Sequence, residues 1–152
     1  MMEWHYATLL ETADAIRSRK ISPVELTNAL LGRIARLEPS LHSYATVTLE
    51  LACAQARRAE AEIAARRYRG PLQGIPVAVK DICNTAGVVT AAGMTIHANY
   101  VPDFDATVVK RLADATREAE AATPEGRRSG WLRPSVSDSS SAGQCGCACP
   151  LP

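Results

Sequence analysis

The sequence predicts an α/β fold in which helices come first and short strands follow. Apolar residues recur at helical spacing early in the chain, whereas residues 75–79 (IPVAV) form a short apolar run bounded by a glycine turn and charged residues. With 152 residues, 47% hydrophobic and 22% charged, the composition is typical of one globular domain. It excludes collagen-like chains, coiled coils and wholesale disorder.

The opening residues predict two consecutive helices. The first has its apolar residues on one face, at Leu9, Ala13 and Ile16. The second begins at a capping box, in which the side chains of Ser22 and Glu25 each accept a hydrogen bond from the other's backbone amide, with Pro23 at the first helical position. We expect this helix to end at Pro39 and Ser40.

A strand, a helix, a second strand and a last helix are expected next. Residues 44–48 (YATVT) are β-branched and aromatic and predict a strand. The apolar face of the third helix comprises Leu49, Ala52, Ala56, Ala59 and Ile63. The run at 75–79 is too short for a helix and predicts a buried strand. Asp105 is expected to cap the last helix through its side chain.

The apolar faces of these elements predict a real but incomplete core. Each expected buried residue lies on the apolar side of a periodic segment. The expected buried residues are Leu26, Leu30, Ile34, Ala56, Ile63, Val77, Val79, Val108 and Leu112.

A change of composition after Ala115 divides the chain into a folded region, residues 1–115, and a tail, residues 116–152. The tail is rich in serine and proline and poor in large apolar residues, so we expect it to be disordered. It is either translated from a shifted reading frame or a specialised functional segment. In the second case Cys145, Cys147 and Cys149 are candidate ligands for a soft metal, but their spacing differs from that of common zinc sites. We therefore expect no metal and no cofactor.

Lys80 is the candidate catalytic residue. It follows the apolar run at 75–79, and sites in α/β folds form at such strand ends. Partial burial there would favour the neutral amine, which can act as a general base. The alternative from the residues alone is a lysine that reaches solvent from the strand end and pairs with Asp81.

Three linked motifs carry a resemblance to a known family: GPLQGIPVAVKD at residues 70–81, TAGVVT at 85–90 and VPDFDATVVKRL at 101–112. Together they resemble the N-terminal part of the amidase-signature family, over roughly residues 7–115. The resemblance implies the first strands of a mixed sheet and a Ser–Ser–Lys hydrolase of carbon–nitrogen amide bonds in small molecules. It places the base of the triad at Lys80.

The sequence departs from the family where the serines are expected. Family members carry a loop of the type G-G-S-S-G-G-S, which is not present here; the serine-rich run at 137–141 lacks its glycines. We therefore expect a truncated hydrolase that is inactive alone. The alternative is a non-catalytic fragment or interaction module. A free-standing amidase and the A subunit of an amidotransferase both remain open.

The net charge and the cysteines indicate where the protein is located and which partners are excluded. A net charge of +1 gives no direct nucleic-acid signal, and no apolar run reaches the ~20 residues that span a membrane. The odd, clustered cysteines and the absence of a secretory signal pattern favour the cytoplasm. An uncovered sheet edge would promote self-association.

Overall fold

Four α-helices form within the part of the chain that the structure, a computed structural model, describes, which is residues 3–116. They are α1 (Leu9–Arg17), α2 (Pro23–Leu41), α3 (Leu49–Ala64) and α4 (Thr107–Ala115). Short 3₁₀ turns lie at Trp4–Tyr6 and Thr95–His97. The long segment between α3 and α4 consists of turns and extended backbone, and it contains Lys80.

Both of the first two helices begin at a capping box. In α2 the Ser22 hydroxyl accepts from the Glu25 amide at 3.0 Å, and the Glu25 carboxylate accepts from the Ser22 amide at 2.9 Å. The predicted start, with Pro23 at the first position, is thus confirmed. Thr8 and Glu11 form the same motif at α1.

The helix α2 continues one residue past its predicted end at Pro39 and Ser40, to Leu41. Proline removes one backbone donor, but near a helix end this costs a single hydrogen bond. The His42 amide still donates to the Glu38 carbonyl at 2.9 Å and closes the last turn. His42 then takes a left-handed φ of 46°, which ends the helix.

The core lies where α1, α2 and α3 meet. Ile16 and Leu26 are the most deeply buried large side chains, and Ile63 of α3 packs against them. Burying a branched aliphatic side chain such as Ile16 contributes about 1.5–3 kcal/mol, so these contacts dominate the stability of this layer. Two alanines of the same α3 face are buried, as the periodicity predicts, whereas three expected core residues are only partly buried. The buried alanines are Ala56 and Ala59, and the partly buried residues are Leu30, Ile34 and Leu112.

The described residues contain no β-strand, so the expected sheet is not confirmed. Residues 44–48 and 75–79 are connecting backbone, and Val77 and Val79 are 50% and 41% exposed rather than buried. A strand needs a neighbour to accept and donate its backbone hydrogen bonds. No other described segment forms such a hydrogen-bonded pairing with residues 75–79.

Two expectations for α4, its buried valine and its N-cap residue, are each wrong by one position in the sequence. Val108 is 48% exposed, and its neighbour Val109 is buried instead. Ala106, not Asp105, is the N-cap residue, and it forms no side-chain cap. The Asp105 carboxylate instead accepts a hydrogen bond from the Ala86 amide at 2.8 Å, which ties an earlier loop to the start of α4.

A largely buried polar network attaches the next loop to α3. The Glu62 carboxylate accepts from Arg69 at 2.8 Å and from the Gln73 side chain at 2.9 Å. The side-chain Oε1 of Gln73 accepts from the Arg69 backbone amide at 2.6 Å, so the two residues that bind Glu62 also bind each other. The network fixes the path of the chain immediately before residues 75–79, and hence the origin of the Lys80 segment.

Candidate functional site

Lys80 lies at the end of the extended run at 75–79, and the residue is exposed. Of the two interpretations from the residues, the structure agrees with a lysine that reaches solvent and not with a partly buried one. Its carbonyl oxygen accepts from the Cys83 amide at 2.8 Å, so a tight turn begins at the lysine. No ion pair joins Lys80 to Asp81 among residues 3–116. The amine is thus presented to solvent from a backbone that turns sharply.

The Asp81 side chain binds a second turn, at residues 91–94, next to the turn that begins at Lys80. Its Oδ1 accepts from the Ala91 amide at 3.0 Å and its Oδ2 from the Gly93 amide at 3.3 Å. The turn is closed by the Met94 amide, which donates to the Ala91 carbonyl at 2.9 Å. Its two central residues, Ala92 and Gly93, have positive φ values of 52° and 71°. The sequence does not reveal that Asp81 binds this turn.

Backbone hydrogen bonds tie the loops after Lys80 to the stretch before α4. The Gly87 amide donates to the Pro102 carbonyl and the Thr90 amide to the Tyr100 carbonyl, both at 2.9 Å. The Ala106 amide donates to the Asn84 carbonyl at 2.7 Å. These contacts make residues 80–106 one hydrogen-bonded unit without a regular sheet.

Lys80 lies in a long stretch of sequence without a serine. The sequence contains no serine between Ser43 and Ser129. Cys83 is a free, half-buried thiol, and the Thr85 hydroxyl donates to the Cys83 carbonyl at 3.3 Å. The serine run at 137–141 lies outside the described residues. The stretch between Ser43 and Ser129 thus provides a candidate base at Lys80 but no serine nucleophile.

Two further features of the described residues are the arrangement of their metal-ligating side chains and the length and polarity of their helices. No group of three or more His, Cys, Asp or Glu side chains among residues 3–116 is arranged to hold a metal ion. In the same range, every helix is too short or too polar to cross a bilayer. The tail predicted at 116–152, with Cys145, Cys147 and Cys149, lies beyond the described range from residue 117 onward.

Comparison with known proteins gives the class to which this arrangement belongs. The family model described as Amidase matches residues 25–117, which is more than half of the chain and includes Lys80. The chain belongs to the Amidase family. The resemblance drawn from the three motifs is therefore confirmed.

Curated relatives of two kinds are similar to the chain. AmiD of Mycobacterium tuberculosis, assigned as an amidase, is 50% identical over 70% of this chain and 22% of its own length. The A subunit of the glutamyl-tRNA(Gln) amidotransferase of Carboxydothermus hydrogenoformans is 42% identical over 75% of this chain and 24% of its own. The same subunit of Methylococcus capsulatus is 48% identical over 71% of this chain and 22% of its own length. The chain thus spans less than a quarter of the length of these relatives.

Proposed function

We propose that this chain supplies the base, Lys80, of an amide hydrolase that works through a Ser–Ser–Lys triad. The observation that carries the proposal is the Amidase family match through residues 25–117, which includes the VAVKD motif ending at Asp81. Lys80 lies at the end of an extended run with its amine accessible, and a general base must be able to reach the reacting groups. The neutral amine that the reaction needs requires partial burial, which the rest of the proposed catalytic site has to provide. The substrates belong to the class of small carboxamides.

In the proposed reaction, the Lys80 amine removes a proton, through a bridging serine, from the hydroxyl of a second serine. That hydroxyl oxygen attacks the amide carbon and forms a tetrahedral oxyanion, which backbone amides stabilise. Collapse of this intermediate breaks the C–N bond, and the departing nitrogen takes the proton back from Lys80. Water then attacks the acyl-enzyme by the same route, releases the acid and restores the serine.

We further propose that the polypeptide alone is inactive, because the two serines must come from elsewhere. Neither the serine-free stretch between Ser43 and Ser129 nor the glycine-poor run at 137–141 offers the family's glycine–serine loop. Triad members act as a unit, so a base without a nucleophile gives little more than the background rate.

The role of Lys80 is tested by exchanging the matched segment of AmiD for residues 25–117 of this chain. We expect the hybrid to hydrolyse simple carboxamides or glutamine, and Lys80→Ala to lower its kcat by about 10³-fold or more. Lys110→Ala, at an exposed lysine of α4, is the matched control and should leave kcat unchanged. A hybrid without activity, or an active Lys80→Ala hybrid, contradicts the proposal.

The second assay uses the 152-residue chain by itself with the same substrates. We expect no turnover above that of the Lys80→Ala variant. Turnover that disappears in the variant would show that the chain has its own nucleophile. A non-catalytic interaction module, the alternative from the sequence, is favoured if the hybrid and the isolated chain are both inactive.

A further inference from the structure

We propose that Asp81 is a positioning residue that fastens the 91–94 turn to the backbone at Lys80 and so holds the lysine in place. Its relevance to catalysis rests on the proposed function of Lys80, whereas the fastening itself does not. Asp81 is adjacent to Lys80 and lies inside the turn that the Cys83 amide closes onto the Lys80 carbonyl.

The geometry of the carboxylate carries this inference. Both oxygens of Asp81 accept from backbone amides ten and twelve residues ahead, those of Ala91 and Gly93. Hydrogen bonds to an ionised acceptor are stronger than those between neutral groups. The side chain is partly buried, which limits competition from water. A carboxylate that bridges two turns in this way restricts both of them.

The 91–94 turn needs such support, because its sequence suits its conformation poorly. Positive φ at both central residues is the pattern of a type I′ turn, which favours Asn-Gly. Here Ala92 occupies the first of these positions, and it is an L-residue with no side-chain group to stabilise a left-handed backbone. Asp81 supplies from across the loop the hydrogen bonds that a local Asn or Asp side chain provides elsewhere.

The fastening is measured by amide hydrogen exchange on the full chain. Asp81→Ala removes both acceptors, and we expect exchange at Ala91 and Gly93 to accelerate about tenfold or more. Asp103→Ala, at an exposed carboxylate three residues before Ala106, is the control and should leave both rates unchanged. Equal exchange in wild type and Asp81→Ala overturns the proposal.

The effect on Lys80 is measured by ¹⁵N relaxation of its backbone amide. Gly93→Ala strains the turn at a φ of 71° and leaves the Asp81 charge in place, with no heavy atom within 4 Å of the added Cβ. We expect the Lys80 order parameter to fall from about 0.85 toward 0.6, with helices α1–α3 unaffected. Gly87→Ala is the control, because it imposes the same strain at a φ of 76° in a turn that Asp81 does not touch.

A Lys80 order parameter that stays at its wild-type value in Gly93→Ala overturns the positioning role, as does an equal fall in Gly87→Ala. If Asp81→Ala also unfolds the helices, the Gly93→Ala comparison decides alone. Neither readout depends on amide hydrolysis, so failure of the positioning proposal and failure of the proposed function are observed separately.

Discussion

Among the glycines of residues 3–116, Gly74 is the one whose surroundings leave the least room for a side chain. Its φ is +80°, and a Cβ built there lies 2.7 Å from Cγ of Pro23, the first residue of α2. A larger residue would therefore have to displace the loop or the start of α2. This contact fixes the distance between the Lys80 segment and the helical layer.

We expect Gly74→Ala to lower the free energy of unfolding by about 2–4 kcal/mol, because strain at positive φ adds to the steric overlap. Gly87→Ala isolates the first contribution, since its φ is +76° and no heavy atom lies within 4 Å of the added Cβ. It should cost about 1–2 kcal/mol. Urea unfolding followed by circular dichroism measures both, and equal losses would contradict the predicted overlap.

The capping box at α2 is the element-scale feature with the clearest local cause. Replacing Ser22 by alanine leaves the Glu25 amide without its acceptor at the first turn. We expect a loss of about 1 kcal/mol in the free energy of unfolding. Ser40→Ala, at an exposed position in the last turn of the same helix, is the matched control and should be nearly neutral. A Ser22→Ala variant as stable as Ser40→Ala would disprove the assignment.

The capping box at α1 makes the start of that helix sensitive to acid. Hydrogen bonds from the Thr8 amide and hydroxyl hold the pKa of Glu11 below its ordinary value of 4.5. A lowered pKa means that the contribution of Glu11 to stability is complete above pH 4.5 and is lost as the pH falls through the pKa in the folded chain. We expect the Thr8 amide to exchange faster below that pH.

Glu11→Gln is the control for this acid effect, because its amide does not titrate. Its Thr8 amide should exchange with only the intrinsic pH dependence. If wild type and variant respond identically between about pH 3 and 5, the range around the ordinary glutamate pKa, the prediction is wrong.

How far sequence reasoning reaches depends on how local each cause is. The Ser22 capping box depends on four consecutive residues, and it is confirmed. Which face of α4 is buried depends on where the chain turns before Thr107, and periodicity does not contain that information. It predicts that Val108 is buried, whereas the structure buries Val109. The strand at 75–79 depends on a partner strand, which no described residue supplies, and its apolar pattern alone does not reveal that.

The candidate site shows the same division. The motif identifies Lys80, and the family match includes it. The sequence leaves open whether Lys80 is partly buried or exposed, because burial depends on what packs over the end of the 75–79 run. From its place just before α4, the Asp105 side chain is predicted to cap that helix. It instead accepts a hydrogen bond from the Ala86 amide, 19 residues away in the sequence. Such long-range partners leave no periodic trace in the sequence.

At the scale of the whole molecule, large apolar side chains between α3 and the first turn of α4 are exposed. Val77 is 50%, Ile82 70% and Ile96 85% exposed. Exposed large apolar side chains promote association, and so does extended backbone without a neighbouring strand. We therefore predict that the chain self-associates through this region as its concentration rises.

The double variant Val77→Lys with Val79→Lys should weaken this self-association by about tenfold or more. The interface between two copies would lose two aliphatic contacts, and like charges would face each other there. Leu10→Lys with Leu41→Lys is the control, since those residues are 68% and 62% exposed outside the segment. Sedimentation velocity over a range of concentrations measures both. A monomer at all concentrations, or equal weakening by the control pair, would contradict the prediction.

The Glu62 network also determines how a protease would divide the molecule. Arg66 and Arg67 are exposed after α3, whereas the Arg69 side chain is only 8% exposed and is paired with Glu62. Trypsin should therefore nick the chain after the first two arginines and spare the third. The piece that begins at Tyr68 would keep its Arg69 and Gln73 bonds to Glu62, so the two pieces should elute together and separate only in denaturant.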